Sequence, residues 1–98
     1  MTLNNVKNIF LIGIGGIGMS ALARYFIIKK KYVIGYDREY SEITAVLQKL
    51  GVKITYDERD HSFLEMLESQ KEETLVIYSS AIKKDHSLLN QFLSLIHI

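Results

Sequence analysis

The 98-residue sequence contains no cysteine, no proline and no tryptophan. Without cysteine there is no disulfide, no thiolate metal site and no cysteine nucleophile, a composition that suits a reducing compartment. The missing proline carries no functional meaning. Neither sign of charge is in excess: 12 Lys and Arg stand against 11 Asp and Glu, for a net charge of +1. Nothing in that balance points to nucleic acid or to an anionic membrane as a partner. A long apolar run is also lacking, because glycines interrupt residues 9–14 well before membrane-spanning length. The opening Met1-Thr2-Leu3-Asn4-Asn5 has neither the basic start nor the apolar stretch of a signal peptide. A cytoplasmic protein is the expectation. Catalytic constellations are missing as well. His61, His86 and His97 have no companions at metal-ligand spacing, so no metal is assigned. No Ser-His-Asp set, no paired carboxylates and no G-x-x-x-x-G-K-[ST] phosphate loop occur, so no catalytic residue is assigned either.

What is present is 48% hydrophobic residues, enough for one modest core. Asn8-Ile9-Phe10-Leu11-Ile12 is an apolar run without alternation, as in a central parallel strand buried on both faces. Residues 17–30 then run without a breaker and predict a helix; apolar residues on nearly every side of it predict unusually deep burial. Lys29, Lys30 and Lys31 close that helix at the negative end of its dipole. Tyr32-Val33-Ile34-Gly35-Tyr36 predicts a second strand, and Ser41 an N-cap before Ile43, Val46, Leu47 and Leu50 at helical spacing. Gly51 ends that helix, and Val52, Ile54 and Tyr56 alternate as a third strand. Ser62 and Glu65 have capping-box spacing ahead of a third helix that turns Phe63, Leu64 and Leu67 inward. Leu75-Val76-Ile77-Tyr78 predicts a fourth strand, and Leu88, Leu89, Phe92 and Leu93 a last helix. Strands alternating with helices imply an α/β fold: a Rossmann-like open parallel sheet with helices on both faces, truncated after about four strands.

The strongest motif lies between the first strand and the first helix. Gly13, Gly15 and Gly18 fit G-x-G-x-x-G, with Gly16 as an extra glycine. In that context Gly13 permits a tight turn, Gly15 admits a diphosphate to the backbone, and Gly18 allows helix and strand to pack closely. The free N–H groups at the helix start then hold the anion. Asp37 ends the second strand about 20 residues later, where an acid commonly accepts a hydrogen bond from a ribose hydroxyl. Ser41 can cap its helix, touch a ligand, or do both. Ser79 and Ser80 lie beyond a strand's carboxyl end, where open α/β sheets gather ligand contacts.

The string Gly13-Ile14-Gly15-Gly16-Ile17-Gly18-Met19-Ser20, followed by Ala21-Leu22-Ala23, resembles the opening of the Mur ligases, and within them the alanine-adding branch. Gly35-Tyr36-Asp37 with Ser41-Glu42-Ile43-Thr44, Leu50-Gly51, and Ser79-Ser80-Ala81-Ile82 followed by Asp85-His86 extend the resemblance over residues 7–92. It implies an N-terminal domain that holds the diphosphate of UDP-N-acetylmuramate instead of a nicotinamide dinucleotide. By that resemblance Gly15, Gly16, Ile17 and Gly18 contact the diphosphate, with Gly13, Met19 and Ser20 completing the segment. Asp37 and Ser41 lie near the uridine, and Ser79, Ser80 and Ala81 close over the same site. It further implies that the complete ligase uses ATP and magnesium to activate the muramoyl carboxylate as an acyl phosphate, which alanine attacks. Those steps belong to central and C-terminal domains beyond residue 98, so this part alone is expected to be inactive. Residues 1–92 are expected to form the incomplete domain, and 93–98 an atypical tail whose apolar residues, with Phe92, invite association. Three rivals stand beside this reading: a sister ligase that attaches a recycled peptide to the same sugar, an NAD-binding domain, and a remnant that binds nothing.

Overall fold

The structure, a computed structural model, describes residues 5–60 and 68–78. Strand β1 spans Asn8–Ile12, helix α1 Ile17–Ile28, β2 Tyr32–Tyr36, α2 Glu42–Lys49, β3 Lys53–Thr55 and β4 Thr74–Tyr78, with a short 3-10 turn at Lys71–Glu73. The four strands form one parallel sheet in the order β3-β2-β1-β4. The expected third helix and the last helix fall within residues 61–67 and 79–98, outside the described residues.

The order explains where the core sits. Steps β1–α1–β2 and β2–α2–β3 move the same way across the sheet, so right-handed crossovers put both helices on one face, and α1 packs against α2. Ile9 and Leu11 of β1 join Val33, Ala23, Phe26, Leu47 and Val52 in that layer. Phe10, Ile12 and Ile34 alternate to the opposite face and are fully buried too. The central strand is therefore closed to solvent on both sides, as its unbroken apolar run predicts.

Both helix ends are set by local chemistry. Ser41 and Thr44 form a reciprocal cap: Thr44 N–H donates to Ser41 Oγ at 3.2 Å, and Ser41 N–H donates to Thr44 Oγ1 at 2.9 Å. Gly51, at φ 101°, closes α2, and its N–H and that of Val52 reach back to Gln48 and Leu47. Helix α1 closes the same way through Lys30 and Lys31, whose N–H groups bond to Ile27 and Phe26. Here the left-handed position, φ 62°, is held by Lys30.

Deep burial of α1 is not observed. Ser20, Ala23 and Phe26 form the one buried stripe, whereas Ile17 is 85% and Ile28 76% exposed. The helix lies on the sheet as an outer layer, and its opposite side, with Leu22 and Tyr25, faces solvent.

Candidate functional site

The glycine loop leaves β1 at the carboxyl end of the sheet, where the strand order reverses: β2 lies on one side of β1 and β4 on the other. Ile12 pairs with both Tyr36 and Tyr78, so the chain leaves β1, β2 and β4 at one level. Ligands of open α/β sheets sit in such a crevice.

Counting backbone donors locates what the loop can still bind. Gly13, at φ 90°, makes the turn that needs a glycine. Its N–H and that of Ile14 both donate to the Tyr36 carbonyl, at 2.8 and 3.0 Å. Gly15 N–H donates to Asp37 Oδ2 at 2.7 Å, and Gly16 N–H returns to the Gly13 carbonyl at 3.1 Å. The first helical bond runs from Ser20 N–H to the Gly16 carbonyl, at 2.8 Å. That leaves Ile17, Gly18 and Met19, whose N–H groups meet no acceptor among the described residues. Gly16 caps without a side-chain bond, and no acid stands in the first turn. Gly16, Ile17 and Gly18 are exposed. The start of α1 is thus an open set of aligned donors at a positive dipole end, suited to an anion.

One expected glycine role, that of Gly18, is corrected. A Cβ on Gly18 would meet nothing within 4 Å among the described residues, so no described strand packs there. A Cβ on Gly15 would lie 2.6 Å from Asp37 Oδ2 and 3.1 Å from Thr44 Cγ2, so Asp37 and Thr44 fill the space that a side chain would take. The tight approach expected of Gly18 occurs at Gly35 instead, where a Cβ would stand 2.6 Å from Ile14 Cδ1 and 3.0 Å from the Leu11 carbonyl. Sequence reasoning names Gly35 and Thr44 in passing but gives neither a packing role. A glycine inside a strand pattern was the available signal for the first.

The remaining candidates separate. Asp37 is half-buried, with Oδ1 accepting the Glu39 N–H at 3.0 Å while Oδ2 holds Gly15. Ser41 is committed to its cap. Ser20 is buried and donates its hydroxyl to the Ile17 carbonyl at 3.0 Å, and Met19 packs against the core. Ser79, Ser80 and Ala81 lie outside the described residues. Around the ends of β2 and β3 stand Asp37, Glu39, Asp57, Glu58 and Asp60 against Arg38 and Arg59. Burial, and then the negative charge of Glu58 and Asp37, push the Tyr36 hydroxyl above its ordinary pKa, so it stays neutral and protonated. What suits an anion here is the set of amides at the start of α1, not the surrounding side chains.

The fold and this loop define a class: the family described as "Mur ligase family, catalytic domain" matches residues 8–96, and the chain belongs to the Mur ligase family. Among curated relatives, the UDP-N-acetylmuramate–L-alanine ligase of Flavobacterium psychrophilum is 46% identical over 93 residues, 95% of this chain and 20% of that protein. The protein of the same name from Christiangramia forsetii is 43% identical over 84 residues, 86% of this chain and 19% of its own length. The solved structure of a murein peptide ligase from Psychrobacter arcticus superposes with a TM-score of 0.70 at 25% identity, covering 90% of this chain and 17% of that one. The chain spans about a fifth of the length of the curated relatives it matches.

Proposed function

We propose that the start of α1 holds the diphosphate of UDP-N-acetylmuramate, and that this chain is the substrate-binding part of the ATP-dependent ligase that joins L-alanine to that sugar nucleotide in peptidoglycan synthesis. The observation that carries the reading is the row of N–H groups on Ile17, Gly18 and Met19, without an acceptor among the described residues, at the carboxyl end of the central strand. The 43–46% identity to alanine ligases favours that substrate over the peptide of the murein peptide ligase, which stands at 25%.

In this reading Gly13 makes the turn and Gly15 and Gly16 shape the loop. Gly18, lacking a side chain on the open side, leaves the anion's path clear. The nucleoside lies toward Asp37 and Ser41, where neutral hydroxyls meet the acidic rim more favourably than a phosphate does. Ser79, Ser80 and Ala81, which follow β4 beside β1, are assigned to the same ligand. Among the described residues no group of three His, Asp or Glu is placed to hold a metal, and the sequence has no ATP phosphate loop. The described residues thus offer no ligand set for ATP or magnesium. We assign both to segments outside these 98 residues, so the chain alone binds without ligating. Its place is the cytoplasm; no described helix is long and apolar enough to cross a membrane.

The test is an amide-resolved NMR titration with UDP-N-acetylmuramate and, separately, NADH. The expected result is selective movement of the Ile17, Gly18 and Met19 amides with the UDP-sugar. Movement with NADH alone would replace the proposal with a dinucleotide-binding domain, and no response to either would mean that the chain binds neither.

A further inference from the structure

We infer that Asp37 is a positioning residue for the phosphate end of the site, acting through the glycine loop in addition to anything it offers a nucleoside. The inference rests on the diphosphate reading above. Asp37 is held at three points: its carboxylate accepts the Gly15 N–H through Oδ2 at 2.7 Å and the Glu39 N–H through Oδ1 at 3.0 Å, and its backbone N–H donates to the Thr55 carbonyl at 3.1 Å. Gly15 immediately precedes the cap residue Gly16, so the setting of its peptide decides where the N–H groups of Ile17, Gly18 and Met19 aim. A charged acceptor on that N–H is among the stronger hydrogen bonds a loop can have. It also keeps Gly15 N–H out of the anion's reach, which confines binding to Ile17, Gly18 and Met19. The missing Cβ of Gly15 is the other half of the device, because a methyl there would stand 2.6 Å from the carboxylate oxygen. Gly15 and Asp37 thus depend on each other, a coupling that a ribose acceptor at the same position does not require.

The experiment uses the full chain and a probe without ribose, inorganic pyrophosphate, beside uridine 5′-diphosphate. In the ligand-free protein, Asp37→Ala removes hydrogen-exchange protection from the Gly15 amide while the β1 and β2 amides keep theirs. Asp37→Asn, which retains one oxygen, falls between. Pyrophosphate affinity drops by roughly tenfold in Asp37→Ala, the loss expected for a bond to a charged group. Undiminished Gly15 protection in Asp37→Ala, or unchanged or tighter pyrophosphate binding, overturns the inference and returns Asp37 to a nucleoside contact. Loss of Gly15 protection in a chain whose parent binds neither pyrophosphate nor the UDP-sugar sustains the loop role and removes the function proposed above.

Discussion

At the residue scale, glycines that look alike in the motif do different physical work. Neither Gly15 nor Gly18 has a positive φ, so space, not backbone conformation, decides what each tolerates. Gly18 borders open solvent, whereas Gly15 is held against Asp37 and Thr44. Gly18→Ala is therefore expected to fold at least as stably as the parent, with a gain of up to about 1 kcal/mol from helix propensity. Gly15→Ala is expected to cost about 1–3 kcal/mol, since it must push aside a hydrogen-bonded carboxylate and a buried threonine methyl. Urea unfolding of the two variants checks this; equal stabilities would show that Asp37 swings away freely. The motif announced a phosphate loop but not this division, because G-x-G-x-x-G records spacing and says nothing of which neighbour fills each gap.

At the scale of elements, the caps were the most legible feature. Ser41, Leu47 and Gly51 behave as their spacing predicts, because capping depends on residues three or four apart. Helix α1 was less legible. Its apolar residues surround the axis, so no periodicity identifies the inward side, and the burial of Ala23 and Phe26 is decided by the sheet below. Its ending holds a testable weakness. Lys30 occupies the left-handed position that glycine fills in α2, with the same pair of backbone bonds. A side chain there is strained by about 1–2 kcal/mol, of which glycine's greater unfolded-state freedom returns part. Lys30→Gly should raise stability by about 0.5–1 kcal/mol in thermal or urea unfolding, with ligand binding unaltered. A loss would mean that the Lys30 side chain contributes more than its backbone costs.

For the whole molecule, the four described strands, the two helices between the first three of them and the parallel pairing were readable from the β-α alternation. What joins β4 to β1 was not, because that contact spans more than sixty residues and leaves no local pattern. The joint is polar. Buried Asn8 donates through Nδ2 to Gln70 Oε1 at 2.7 Å and to Thr74 Oγ1 at 3.3 Å, and Thr74 Oγ1 donates to the Gln70 carbonyl at 2.8 Å. Lys7 N–H adds a bond to the Glu73 carbonyl at 2.7 Å. This knot lies at the amino ends of β1 and β4, opposite the glycine loop, and it sets the register that places Tyr78 beside Ile12. Asn8→Leu keeps the volume but removes a donor from buried Thr74, and from the exposed Gln70 beside it, at a cost of about 1–3 kcal/mol. Because β4 is the one described strand on its side of β1, the damage should be directional. Hydrogen exchange is expected to speed up first across β1–β4, while β1–β2 amides keep their protection, and the crevice beside the loop should widen enough to weaken UDP-sugar binding. Uniform acceleration across both pairs would instead show that the sheet opens as a single unit, with the Asn8 knot contributing to stability alone and not to the register that positions the site.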